Sequence, residues 1–330
     1  MKRYLKKMSL IIAPFIGVLL LIIITDPYKI IFDYEDYSYG IFPVNRDYIS
    51  TTYYLDNRAK YNYNSFIFGN SRSSAYLSND WSVHLNGNIS PYHFDASAES
   101  LFGVMKKLEF IDSIGDPIKN ALIIVDRQLL SQTKNRDYHL FIKHHALTNQ
   151  SKKDFYWVFA ESLTHKDFLK FYLDYLTGGL ITKLGNRIPR DMECSAITND
   201  YLFKGCEESL SRIGNQYFDK YSSYFKKQNG FSTVEKPVID STQYLQLEKI
   251  KSILKKHNTN YRIIIGPNYN QLQLHSIDII KLERIFGKKN VYDFSGFNQY
   301  SADFKNFYDG SHYRPYVGKA IMNEVYRSSK

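Results

Sequence analysis

The chain has 330 residues, 44% of them hydrophobic and 16% aromatic, with 43 Lys and Arg against 33 Asp and Glu. That length and apolar content suffice for a substantial core and exclude an intrinsically disordered chain. Of the formal net charge of +10, four units come from Lys2, Arg3, Lys6 and Lys7 at the N-terminus; the body is mildly basic, shows no nucleic-acid-binding motif, and is expected to have no nucleic-acid partner.

Residues 1–7 form a basic flank with no acid, read as cytoplasmic. Behind it "MSLIIAPFIGVLLLIIIT", residues 8–25, is uncharged and long enough to cross a bilayer as a helix. Basic residues before the run and Asp26 after it direct the N-terminus inward and the rest outward. The next stretch, "TDPYKIIFDYEDY", is bulky and lacks a small-x-small cleavage site, so an uncleaved anchor is expected in place of a removed signal peptide. The expected protein is single-pass, bound to the membrane through this helix, with its body periplasmic or at the surface of a bacterial cell. Residues 26–59, rich in Tyr, Asp and Asn, read as a stalk between membrane and domain.

From residue 60 onward, short apolar runs alternate with helical patterns. Strands are predicted at 64–69, 90–97, 120–126, 260–266 and 290–295, with helical periodicity at 100–114, 242–257, 277–286 and 314–328. This alternation predicts an α/β fold of three layers, a five-stranded parallel sheet covered by helices on both faces. The pattern breaks between about 127 and 242, an aromatic, Lys-rich and partly helical stretch with a Gly-Gly break at 178–179, too long for a crossover and read as an inserted cap. Within it Cys194 and Cys206 stand twelve positions apart; outside the cytoplasm such a pair is expected to close a disulfide that staples the insertion. His144 and His145, also in the insertion, are adjacent and so face different ways; neither a metal nor any other cofactor is expected.

Two stretches carry chemistry. "FIFGNSRSSAYLSNDW", residues 66–81, places three serines directly after the first strand, where ligands bind in such sheets and where a following helix N-terminus favours developing negative charge. Ser71 sits at the strand end, whereas Ser73 and Ser74 are rotated away by the next turn. "NFYDGSHYRPYVGKAI", residues 306–321, places Asp309 and His312 three apart between the last strand and the last helix, at the same sheet edge. Ser71 as nucleophile, His312 as base and Asp309 as its orienting carboxylate would make a complete triad. His84 and His93 lie near the first two strand ends without a place in it.

With "FGNSRS" after the first strand and "YDGSHY" before the last helix, the chain resembles the SGNH or GDSL-like hydrolases. Within them it resembles the membrane-anchored branch that O-acylates cell-surface polysaccharides, as in alginate or teichoic-acid modification. The resemblance covers residues 60–330 outside the insertion. It implies a flavodoxin-like sheet, the triad Ser71, His312 and Asp309, and an oxyanion hole fed by the turns after the second and third strands. There the chain departs from the family pattern. "FDASAES" lacks the family's glycine, leaving Ala98 as the positional match, and "IIVDRQLL" lacks the family's Asn, offering Asp126 and Arg127 instead. Asn268 in "GPNYN" is a substitute donor displaced to the fourth strand, and Arg72 and Arg127 are candidates for an anionic substrate group. The expected activity is transfer or hydrolysis of a short acyl group, acetyl above all, on an exported glycan that serves as acyl acceptor or donor. The alternative is a non-catalytic accessory protein of this fold that binds polysaccharide or a membrane-bound acyltransferase partner.

Overall fold

A computed structural model describes residues 2–225, 228 and 230–327, without the side chains of residues 2–6 and 9–11. Helix α1 covers Lys2–Thr25 and α2 covers Arg46–Tyr61. The sheet is built from β1 (Ser65–Phe68), β2 (Pro91–His93), β3 (Asn120–Val125), β4 (Asn260–Ile265) and β5 (Val291–Asp293). Its remaining layers contain α3 (Leu101–Ser113), α4 (Ser241–Lys256), α5 (Ser276–Phe286) and α6 (Pro315–Arg327).

All five strands are parallel, in the order β2-β1-β3-β4-β5. Every residue of β3 is buried, as a central strand covered on both faces requires. The side chains alternate between two cores. Phe66, Phe68, Ile123, Val125, Ile263 and Ile265 face α2, α3, α4 and α5, whereas Ile67, Leu122, Ile124 and Ile264 face Val317, Ile321, Met322 and Val325 of α6. Local signals fix the helix ends. The Asn45 and Ser100 side chains cap α2 and α3 by accepting the Tyr48 and Gly103 N–H groups, Asp240 and Gln243 form a capping box on α4, and Pro315 opens α6.

From β1 the chain crosses to β2 on one side, then back to β3 on the other, so the carboxyl ends of β1 and β3 form the switch point where open α/β sheets bind ligands. Between β3 and α4 the chain makes several short helices, among them Lys152–Ser162, Lys166–Leu176, Leu180–Leu184 and Lys204–Ile213, and a small antiparallel pair, Glu193–Cys194 with Tyr201–Leu202. The loop before that second short strand runs along the outer side of β2. The His93 N–H donates to the Thr198 carbonyl at 2.8 Å, and the Asn199 amide donates to the His93 carbonyl at 2.5 Å.

Two expectations require correction. Residues 26–59 are no extended stalk: Tyr28, Tyr37, Phe42, Ile49 and Tyr54 are buried in the core. Tyrosine allows this because its ring packs while its hydroxyl finds a distant partner, as Tyr28 does with the Ser162 hydroxyl at 2.6 Å. Cys194 and Cys206 are both buried and free. Cys194 packs with Met192 and Tyr201, Cys206 with Ile188, Tyr217 and Tyr308, so the two side chains enter different clusters. As for the anchor, among the described residues no helix is long and apolar enough to cross a membrane. The expected span, 8–25, falls within α1, and its side chains at 9–11 lie outside the described residues.

Candidate active site

The site begins where β1 stops. Gly69 is needed there, because a Cβ would stand 2.8 Å from the Ser73 Cβ and 3.1 Å from the Ile124 Cβ. Asn70 then caps a tight turn, Ser71–Ala75, by accepting the Arg72 N–H through its side-chain oxygen at 3.0 Å. Its amide donates to Asp126, just past β3, at 2.6 Å, and the Arg72 guanidinium donates to the same carboxylate oxygen at 2.7 Å. Asp126 also caps the short helix Arg127–Ser131 through the Leu129 N–H. The turns after β1 and β3 are thereby tied together at the switch point.

Ser71 is the first residue of its turn, and its Oγ lies 2.9 Å from His312 Nε2. His312 Nδ1 lies 2.9 Å from Asp309 Oδ2, and Asp309 Oδ1 accepts the N–H groups of Ser311 at 2.7 Å and His312 at 2.9 Å. Burial pushes the Asp309 carboxyl up, but the His312 ring and these two N–H groups outweigh burial and hold it down at about 2. A carboxylate can only accept, so His312 Nδ1 donates to it and Nε2 presents a lone pair to the Ser71 hydroxyl. Arg72 braces the arrangement from outside the cavity by donating to the Ser311 carbonyl at 3.1 Å.

The two hydroxyls further along the turn are committed elsewhere. Ser74 donates to the Ser71 carbonyl at 2.8 Å. Ser73 is fully buried; its Oγ lies 2.8 Å from His93 Nε2, while His93 Nδ1 lies 3.2 Å from Asp200 in the insertion. A second Ser–His–Asp group is thus buried at its serine and histidine, with the Ser73 hydroxyl proton donated to the Asn70 carbonyl at 2.8 Å. Its serine follows β1 and its histidine ends β2, but Asp200 comes from the middle of the insertion and no sequence spacing announces it.

Ser71, Asp309 and His312 line a cavity of about 300 Å³, roofed by Tyr39, Met192, Tyr201 and Phe203. Tyr39 comes from the supposed stalk, the other three from the insertion. The Phe203 ring sits 4.7 Å from the His312 ring. Ser97 reaches this cavity, whereas Ala98, Asn268, Arg127 and Arg72 do not line it. Ala98 takes a left-handed backbone, φ 46°, and turns its carbonyl to Arg136. Asn268 spends its amide on the Leu272 carbonyl at 3.3 Å, and Arg127 donates to the Lys236 carbonyl at 2.8 Å. Ser71 and Ser97 both line this cavity, and among the described residues their N–H groups have no hydrogen-bond acceptor. The turn bearing Ser97 is held from behind by buried charges: Arg46 donates to Asp95 at 2.6 Å, and Lys107 to Glu99 at 2.6 Å. Breaking one such buried pair typically costs 3–5 kcal/mol, roughly, because its partner is stranded.

The remaining histidines stand apart from the triad. His84 stacks on Tyr326, and His144 accepts the Ala146 N–H while burial pulls its ring down to about 4. Compared with known proteins, the chain matches no protein-family model and no curated protein sequence.

Proposed function

We propose that this chain is a membrane-anchored serine acyltransferase or esterase, working outside the cytoplasm on a short acyl group, acetyl above all, of a cell-surface polysaccharide. The observation that carries this reading is the unbroken line from Asp309 through His312 to the Ser71 hydroxyl at the switch point of the sheet. In the first step His312 Nε2 takes the hydroxyl proton as Ser71 Oγ bonds to the acyl carbonyl carbon, whose oxygen gathers negative charge. The Ser71 and Ser97 N–H groups receive that charge. His312 then returns the proton to the leaving alcohol, leaving an acyl-serine that a second hydroxyl, from glycan or water, resolves by the same steps in reverse. A cavity of about 300 Å³ under aromatic and aliphatic side chains suits a small acyl group.

The anchor belongs to this proposal. Phe15, Ile16, Val18, Leu19, Leu20 and Ile24 of α1 are exposed, a surface that suits lipid, and the basic flank directs the body outward.

One observation favours the accessory reading. Asp126 stands where the resemblance implies an Asn donor, and a carboxylate already accepting from Asn70 and Arg72 offers the oxyanion nothing. One such donor is worth about 3 kcal/mol in the transition state. Labelling the full chain in neutral detergent with a serine-reactive fluorophosphonate decides between the two readings. Wild type and Ser73→Ala are expected to label, Ser71→Ala and His312→Ala not, and glycan O-acetylation in cells should follow the same order. Labelling that survives Ser71→Ala, or glycan acetylation that survives both Ser71→Ala and His312→Ala, would refute the triad and leave the accessory reading.

A further inference from the structure

Beside the catalytic cavity lies a second, larger hollow of about 490 Å³, built mainly by the insertion. The two share a wall, since Ile41, Pro189 and Arg190 line both. The dividing ridge is tight: a Cβ on Gly179 would stand 2.2 Å from the Ile41 side chain, and Gly178 and Gly179 both have positive φ. Only glycine lets the backbone approach this closely in that conformation.

The charge of this hollow is one-sided. Lys183, Arg187, Arg190, Arg212 and Lys220 line it, against Asp191 and Glu208. Some cations elsewhere on the surface are paired, Lys106 with Glu109 and Lys319 with Asp80 at 2.8 and 2.7 Å, and Arg314 with Glu207 at 2.8 Å. Among the described residues none of the five cleft cations comes within ion-pair distance of a carboxylate. Lys183 donates to the Gly178 carbonyl at 3.0 Å, Arg190 lies over the Phe171 ring and Lys220 over the Tyr221 ring, contacts that leave each charge uncompensated. Five like charges around one concave surface repel one another and focus a positive potential into it, which an anion relieves. Three are guanidinium groups, whose planar forks match carboxylate and phosphate oxygens.

We propose that this cleft is an anion subsite, holding a carboxylate- or phosphate-bearing unit of the polymer while a neighbouring unit reaches Ser71 through the shared wall at Arg190. The inference rests on the acyl-transfer reading and narrows its substrate to an anionic glycan. Because most of the cations are exposed, the subsite binds by charge and its affinity falls with salt. Arg190 has a further consequence: bordering both hollows, it sets the register between the anchored unit and the one that reacts.

The test uses the full chain in neutral detergent with three oligomers of matched length: oligogalacturonate for the carboxylate, oligo(glycerol phosphate) for the phosphate, and a neutral dextran. Vesicles with and without anionic lipid form a fourth arm. At least one anionic oligomer should bind about tenfold tighter than dextran or more, less so as salt rises, and which one does identifies the charged group. The triple variant Arg187→Gln, Arg212→Gln, Lys220→Gln should lose that advantage while keeping the wild-type rate of fluorophosphonate labelling at Ser71. Equal binding of dextran and both anionic oligomers overturns the subsite, as does an unchanged triple variant. Binding to anionic vesicles but to neither oligomer overturns it in favour of a membrane contact. The Ser71→Ala variant should bind the oligomers as wild type does. If Ser71 never labels while the charge-dependent binding is present and lost in the triple variant, catalysis fails and the subsite stands.

Discussion

Gly318 of α6 offers the sharpest test of how the two halves of the triad are held in register. A Cβ placed there would lie 2.1 Å from the carbonyl oxygen of Ala75 and 2.5 Å from its carbonyl carbon, both main-chain atoms of the turn that begins with Ser71. No rotamer change can relieve such contacts, so Gly318→Ala must push α6 and the turn apart by about 1 Å to restore ordinary separation. His312 lies three residues ahead of α6 and moves with it, and the same displacement applied to the 2.9 Å Ser71–His312 contact takes it beyond hydrogen-bond range. Overpacking of this kind costs about 1–3 kcal/mol, and the better helix propensity of alanine returns roughly 1 kcal/mol. The net loss of about 0–2 kcal/mol should lower the melting temperature by at most a few degrees, roughly 2–4 °C per kcal/mol or less in a chain of this size. Labelling of Ser71 should fall much further, on the order of 100-fold, because reactivity depends on sub-ångström placement. Thermal unfolding by circular dichroism, measured beside the labelling rate, separates the two effects. A variant that melts and labels like wild type would show that α6 does not set the distance between Ser71 and His312.

Two further outcomes follow from the ionisation of the site and from the thiols. Asp309 has its folded pKa depressed to about 2, below the ordinary 3.8, so the unfolded chain binds the proton more readily between those values and the carboxylate's contribution is present above about pH 4 and lost as pH falls through about 2. The unfolding free energies of wild type and Asp309→Asn should differ by about 2 kcal/mol at neutral pH, the difference narrowing between pH 4 and 2; a gap that stays constant in urea titrations across that range would refute the assignment. Because Cys194 and Cys206 are free and buried, with burial pushing the Cys206 thiol up to about 12, reductant should leave the unfolding midpoint unchanged. Two thiols should react with a thiol reagent only after denaturation, and rapid modification of either in the folded protein would contradict the packing described for them.

The strands were legible because each is an apolar run bounded by Asn, Ser, Pro or Gly: the run predicted at 120–126 is observed as Asn120–Val125, and that at 260–266 as Asn260–Ile265. The positions of Ser71, Asp309 and His312 were legible for a related reason, since each lies in a short turn whose location follows from the strand before it or the helix after it. The reading was less successful where the backbone turned without a signal. Ala98 adopts a left-handed φ with no glycine to mark it, and Ser97, not Ala98, lines the cavity. It failed where partners are remote in the chain. Nothing near Tyr28 points to Ser162, nothing near His93 points to Asp200, and the roof residues Met192, Tyr201 and Phe203 come from a segment without periodicity. The cysteines misled because a spacing of twelve says how large a loop would be, not which way two side chains point.

The loop that lies along β2 has a consequence for solubility. An outer strand presents unpaired amide and carbonyl groups on which another chain can add a strand, a hazard that proteins blunt by covering the edge. At β2 the outward N–H and C=O of His93 are both occupied, by the Thr198 carbonyl and the Asn199 amide. The insertion therefore guards the sheet as well as roofing the cavity. A chain trimmed or proteolytically nicked between 195 and 200 would lose more than part of the wall around Ser71: it would expose a sticky strand edge and be prone to self-association, so the insertion is held in place by a requirement independent of the cavity.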